Sequence, residues 1–563
     1  MKRQLFTAVA IIMLCLAALP GCNNGDGNNG AQSPAGSGGA SPGGTSASGG
    51  AQASGGEEEP GSGFMLTGAP ATLTYMKGIW PDDLTVISEW NDNLAYKKAE
   101  ELTGVKIDFQ EIPFSDYSSA FAVVWASGAQ PDMMEVNLQL TSYPGGWDRA
   151  VDDGAALDLY PLLDELAPNY QRHRDMYDNI RRLTMTDRRR VPGFYTIETD
   201  NWQKMGTGLV IRKDWLDDLG LDAPTTLDEL HNVLKLFKTE KKARIPMVLW
   251  DFVRNDMIAP FEFNDDWLPS LMGAQLDPKN PGRVAYGLAT DGVREYASLM
   301  KTWYDEGLLG EAGFYRDHNG EAVKGDCGVW TQGFYSIASN IMASMSDPNA
   351  IVEGIPHPLT PAGTRGRLMV NWDASFGVLP NILIINPKND NWELAVKWAD
   401  FWYSDFGTQL ANFGVEGVSF EFDAGGIPRY TDVMAPTEME SFTQKQSKYF
   451  FHSGAYVRRE AGGQGEAAKY YAIYEQRAQK TFQDSLGTEL NLPALTLTLE
   501  EETEARAIWN DMRAYANATI PLFIRGEIPI EGGWDTYQSE LKSKGLARYC
   551  EIFQAAYDRY LVR

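Results

Sequence analysis

An α/β fold in at least two domains is predicted for this 563-residue chain. Three observations predict it. Short apolar strands alternate with helices along the body. The helices carry apolar stripes of helical period and stop at glycine. About 500 residues follow a low-complexity N-terminal stretch, too many for one compact core.

The first residues concern compartment rather than fold. Lys2 and Arg3 precede an apolar run from Leu5 to Leu19, the charged-then-hydrophobic layout of a secretory signal and too short for a comfortable transmembrane helix. The run ends at Leu19-Pro20-Gly21-Cys22, which resembles the lipobox of bacterial lipoproteins. Pro20 departs from the small or β-branched residue usual there. The resemblance implies cleavage after residue 21 and acylation of Cys22, leaving the chain on the outer face of the membrane by a lipid anchor. Residues 22–63 are dominated by Gly, Ser, Ala and Asn, with the acidic run Glu57–Glu59. That composition cannot bury a core and reads as a flexible tether spanning roughly 35 Å.

In the body, Thr72–Met76 alternates as a strand and leads to Trp80 and Pro81. Asn91–Leu102 has helical spacing, with Leu94, Ala95, Ala99 and Leu102 on one face, and Gly104 stops it. Val105–Phe109 is a second strand, and a helix over Tyr117–Ser127 ends at Gly128. A strand follows in Pro131–Val136. This alternation predicts a largely parallel sheet, with ligands at the carboxyl ends of its strands. A second α/β stretch begins with the strand Gly208–Ile211. Helical stripes recur over Leu227–Lys238, Asp291–Glu306, Trp392–Tyr403 and Glu500–Tyr515, and no internal repeat is present.

Several segments resemble the family 1 extracellular solute-binding proteins, the maltose-binding-protein type, and especially the large lipoproteins of Gram-positive bacteria such as Paenibacillus. They are Ala126-Ser127-Gly128-Ala129-Gln130-Pro131-Asp132, the specific block Ile211-Arg212-Lys213-Asp214-Trp215-Leu216 through Leu221 with Pro224-Thr225-Thr226, Phe376-Gly377-Val378, Gly414-Val415-Glu416-Gly417, and Phe523–Glu527 with Trp534-Asp535. The resemblance spans residue 70 to the end. It implies a two-lobed periplasmic-binding-protein type II fold with a hinge and an interlobe cleft that closes on solute. The expected first lobe is 64–205 plus 374–428, and the second 206–373 plus 429–563. Related lipoproteins often carry a calcium loop where this chain has Thr239–Pro246. One carboxylate and three cations there are the wrong charge for a hard cation, so no metal is expected.

Losing residues 1–21 removes Lys2 and Arg3 and no acid, so the formal net charge of -27 becomes -29. A surface so acidic argues against nucleic acid or anionic lipid as partner. With Cys15 lost with the signal and Cys22 acylated, only Cys327 and Cys550 remain as thiols, whose pairing the sequence leaves open. Local signals for catalysis are weak. His173, His231, His318, His357 and His452 show no metal-ligand spacing and read as surface or loop residues, and there is neither GxSxG nor a phosphate loop. The positive signal is aromatic. Sixteen tryptophans offer flat apolar faces that can cover the C–H side of a pyranose, while Asp, Glu and Asn accept from its hydroxyls.

Trp80, Trp90 and Asn137 follow first-lobe elements and are candidates for the cleft. Trp202, Trp250 and Trp330 fall near the first crossing or follow second-lobe segments, Trp372 and Asp373 precede the second crossing, and Glu416 sits where the resemblance places a cleft-facing acid. Trp215, Trp303, Trp392, Trp398 and Trp402 fall in helical patterns and read as core. The resulting expectation is a monomeric, lipid-anchored binding component of an ABC importer that needs no cofactor. It would hand a carbohydrate, foremost an oligosaccharide, to permease subunits. A peptide or an acidic sugar stays open as solute, Arg188–Arg190 reading as a solvated loop. A secreted glycoside hydrolase, whose cleft would also combine acids and aromatics, and a sensor subunit are the rival readings.

Overall fold

The computed structural model describes residues 64–138, 141–198, 207–249, 251–252, 256–264, 271–310, 318–333, 337–360, 377–437, 440–451, 453–458, 468–470, 472–484 and 490–563. Its strands are β1 Ala71–Ile79, β2 Val105–Pro113, β3 Met133–Asn137, β4 Phe194–Glu198, β5 Thr207–Arg212, β6 Ile245–Met247, β7 Ala274–Leu276, β8 Val284–Tyr286, β9 Cys327–Gly333, β10 Val352–Gly354, β11 Val378–Ile385, β12 Phe420–Phe422, β13 Pro428–Tyr430 and β14 Val457–Arg458. Two sheets organise the body. One has the order β14-β4-β11-β3-β1-β2 and the other β10-β5-β9-β6. In the first, all neighbours run parallel except β11, which is antiparallel to β3 and β4. In the second only β6 and β9 are parallel. The expected largely parallel sheet therefore holds for the first and not for the second.

Local sequence explains most elements. Asn93 caps the helix Leu94–Thr103 by accepting from the N–H groups of Ala95 and Tyr96 at 2.9 and 3.3 Å. Gly104 and Gly128 end their helices at φ 71° and 70°, where a side chain would be strained. Thr226 and Glu229 form a reciprocal capping box on Leu227–Thr239, as Thr498 and Glu501 do on Leu499–Ile524. That last helix runs well beyond the expected Tyr515 and through Pro521.

Each sheet has its own apolar core. Leu73, Val136, Ile382, Trp398 and Trp402 lie in the first. β5 alternates between two clusters, Leu209 and Ile211 facing one and Val210 the other, so the second sheet is covered on both faces. Trp215, Trp303, Trp398 and Trp402 are buried as the helical patterns predict.

The expected assignment of 429–563 to the second lobe needs correction. β14 pairs with β4 through Val457↔Ile197 and Arg458↔Glu198, and Phe451 and Tyr456 lie in the first core. The helix Phe442–Tyr449 is tied to the same side, because Asn93 donates to the carbonyls of Ser447 and Phe450 at 2.9 Å each. A two-residue strand has no periodicity to read, and its partner lies far back in the chain.

Cys327 and Cys550 are free thiols, and burial pushes them up to about 12 and about 11 respectively. His173 and His357 are buried rather than superficial. Desolvation takes His357 down to about 3, so it is neutral near pH 7. Arg188 and Arg190 both pair with Asp152. The cations of the Thr239–Pro246 loop are also engaged, Lys241 by Asp218 and Arg244 by Glu321 and Asp326. No helix among the described residues is long and apolar enough to cross a membrane.

Candidate functional site

The carboxyl ends of the parallel strands of the first sheet fall at Ile79, Pro113, Asn137, Glu198 and Arg458, and antiparallel β11 begins at the same edge. The chain leaves this edge after β4 and next enters the second sheet at Thr207, opposite Gly333. It returns after β10 to start β11. The chain thus passes twice between the same pair of sheet edges, and in open α/β sheets ligands bind outside the carboxyl ends of the strands.

Trp80 follows β1 directly and is 38% exposed. Its ring stacks on Phe114, which follows β2, with centroids 3.6 Å apart and planes inclined 22°. The backbone beneath it is fixed, since the Trp80 N–H donates to Asp83 Oδ2 at 2.9 Å and Ser447 donates to Asp83 Oδ1 at 2.5 Å. The result is a partly exposed indole backed on one face by Phe114 and held by a buried acid. Asn137 ends β3 half-buried, and its N–H donates to Tyr117 Oη at 2.9 Å. Beneath the edge, Lys77 and Glu135 form an ion pair of 2.5 Å with side chains 1% and 8% exposed. Glu135 also accepts from Tyr75 Oη at 2.8 Å. A cavity of ≈ 150 Å³ lies near this edge, lined by Leu138, Trp147, Tyr195 and Leu379 from the first core's side and by Met272 and Arg506 from the second's.

The candidate residues divide. Trp80 is open, Asn137 is at the edge, and Glu416 is exposed in a turn closed by the Gly417 N–H donating to the Phe420 carbonyl at 2.8 Å. Trp90 and Trp330 are corrections. They are 2% and 0% exposed, with Trp90 Nε1 donating to the Gly78 carbonyl at 3.1 Å and Trp330 Nε1 to Gln332 Oε1 at 3.3 Å. A ring covered on both faces offers no platform, and position beside a strand end does not reveal which way a side chain turns. Trp202, Trp250, Trp372, Asp373 and Cys22 lie outside the described residues.

Two groups escaped the sequence reading. Phe114 was passed over because a lone aromatic in a loop carries no pattern. Asp256 opens the helical turn Asp256–Phe261. The residue is half-buried, but its Oδ2 is closed off from solvent and meets no hydrogen-bond donor among the described residues. Burial raises its carboxyl to about 6, and a hydrogen bond from Thr331 opposes the rise. A folded pKa above the unfolded value means that the native state holds the extra proton. Stability from this group is therefore complete below about pH 4 and is lost as pH rises through about 6. Asp256→Asn is expected to stabilise the ligand-free protein by up to about 3 kcal/mol at pH 7.5, with the gain vanishing below about pH 4. Thermal melts of both forms across that range measure it.

Among the described residues no three His, Cys, Asp or Glu side chains stand close enough together to hold a metal ion.

Comparison with known proteins places the chain. The model of the family described as bacterial extracellular solute-binding protein matches residues 85–408. A fructooligosaccharide ABC transporter substrate-binding protein, FusA, of Streptococcus pneumoniae serotype 4 is 24% identical over 496 residues, covering 84% of this chain and 87% of that protein. The structure of S. pneumoniae FusA in complex with kestose superposes with a TM-score of 0.66 at 22% identity, covering 87% of this chain and 99% of the other. An HMO-binding, ABC-transporter-associated solute-binding protein from Bifidobacterium longum infantis gives a TM-score of 0.70 at 18% identity, covering 88% and 99%.

Proposed function

The chain belongs to the bacterial extracellular solute-binding protein family, and on that footing we propose that it captures an oligosaccharide outside the cell and presents it to the permease of an ABC importer. Members of this family bind; they are not enzymes. Carbohydrate as the solute class is supported by relatives whose names specify fructooligosaccharide and by a similar fold in an HMO-binding protein. The observation that carries it in this chain is the open Trp80–Phe114 stack at the carboxyl edge of the first sheet. Apolar aromatic faces of that size suit the C–H face of a sugar ring.

In this reading one lobe is built on the first sheet and takes in residues 440–451 and 453–458, and the other is built on the second sheet. Solute binds to one lobe first, and hinge closure then buries it against the other, drawing on contacts made only when closed. Trp80, Asn137 and Glu416 remain ligand candidates, together with Trp202, Trp250, Trp372 and Asp373. Cys22 would carry the lipid anchor and residues 22–63 the tether, supported by the Lys2–Leu19 layout and the cysteine after Gly21. The protein would act as a monomer.

A thermal-shift screen of residues 64–563 against neutral and acidic oligosaccharides, peptides and simple sugars tests the function, because a ligand specific for the native state raises the melting temperature by mass action. An upward shift with the sugar recovered intact by chromatography is the expected result. A sugar degraded in the tube would mean hydrolysis, and a response to peptides alone would exclude carbohydrate. For the bound sugar, Trp80→Ala is expected to weaken binding about 10- to 100-fold, or about 1.4–2.8 kcal/mol, with little change in ligand-free melting, as read by titration calorimetry.

A further inference from the structure

Asp256 has a place and an environment that folding by itself does not explain. The residues after it, Met257 to Phe261, are all buried, so core packing fixes the turn and with it the acid. Thr331, its hydrogen-bond donor, lies opposite Leu209 in the β5–β9 pair, two residues short of the Thr207–Gly333 edge. That is the edge at which the chain arrives from the first sheet, and β6, parallel to β9, ends on the same side. Among the described residues its Oδ2 is enclosed without a donor, and burial and the Thr331 hydroxyl account for its titration, with no cation among them contributing. An enclosed carboxylate oxygen with neither cation nor donor destabilises the protein, and an amide or apolar residue of similar size would remove that cost. Such unsatisfied groups are retained where a ligand supplies the missing partner.

We propose that Asp256 is the second lobe's acceptor for the solute, its Oδ2 taking a hydrogen bond from a hydroxyl when the lobes close, with Thr331 holding the other oxygen. The assignment rests on the carbohydrate reading above and narrows it. A carboxylate in a dry site attracts a hydroxyl donor and repels a second carboxylate, so Asp256 selects neutral oligosaccharides against those built from uronic acids.

Titration calorimetry of the full chain at pH 7.5 with kestose, with a panel of neutral oligosaccharides and with digalacturonic acid tests this on three forms: unaltered, Asp256→Asn and Thr331→Val. The expected result is that Asp256→Asn weakens neutral sugar at least tenfold, reduces the preference for neutral over acidic sugar, and melts at a higher temperature without ligand. Thr331→Val, which frees the acid to turn, is expected to weaken binding a few-fold. Equal affinity in the unaltered and Asp256→Asn forms overturns the assignment while leaving carbohydrate capture intact. Failure of every sugar to bind any form overturns both.

Discussion

Lys77→Met is expected to cost about 3–5 kcal/mol of stability, because it leaves the Glu135 carboxylate buried without its cation. The pair is enclosed, with side chains 1% and 8% exposed. Lys77 also donates to the Ser453 carbonyl at 3.3 Å and lies over the Trp90 ring, 5.1 Å from its centroid. Glu135 would keep the Tyr75 hydroxyl, which does not replace an ammonium at 2.5 Å. The double change Lys77→Met with Glu135→Leu is expected to recover most of the loss, since burying two apolar groups avoids the desolvation of both charges. Denaturant titration of the single and double variants measures the difference, a shifted midpoint at constant slope being the signature of stability alone. A single variant as stable as the unaltered protein would contradict the account.

Asp187→Ala is expected to remove about 3 kcal/mol by breaking the anchor of the C-terminus. Asp187 is 15% exposed and receives Arg559 Nε and Arg563 Nε, each at 2.7 Å. Arg559 also reaches Glu501 with two bonds of 2.9 and 2.6 Å, and Arg563 donates to the Met185 carbonyl at 2.9 Å and to Thr496 at 2.8 Å. The terminal helix Leu546–Leu561 thus packs Ile552 and Phe553 into the second sheet's core while Tyr560 and Arg563 hold the first. Burial alone would raise the Glu501 carboxyl, but Arg559 and the Thr498 N–H outweigh it and leave it below the usual range. Its contribution is present above the ordinary carboxylate pKa and fades as pH falls through the depressed value. Calorimetric melts of both forms from pH 7.5 downward measure the loss. The deficit of Asp187→Ala should change little between low and moderate salt, because partly buried pairs are weakly screened.

How far sequence reading reached follows from the range of the forces involved. β1, β2, β5 and the helices Leu94–Thr103, Tyr117–Ser127 and Leu227–Thr239 were legible because each is specified by period, cap and stop within a dozen residues. Trp303 and Trp398 were legible as core by the same periodicity. Trp80 was placed correctly at a strand end, yet Trp90, by the same argument, is buried. The two differ only in what later segments put over them, and Trp90 lies beneath Lys77, a residue drawn down by Glu135 from another strand.

The sequence by itself determined that this is an α/β chain with the motifs of the extracellular solute-binding family. Strand alternation, helical stripes and the Arg212–Leu219 block are local patterns, and local patterns survive without a structure. Tertiary structure decided that Trp80 stays open, that Phe114 backs it, that Val457 and Arg458 return to the first sheet, and that Asp256 is enclosed without a charge partner among the described residues. Each of these depends on groups far apart in the chain meeting at a few ångströms, where exposure and dielectric are set by neighbours that no local pattern names.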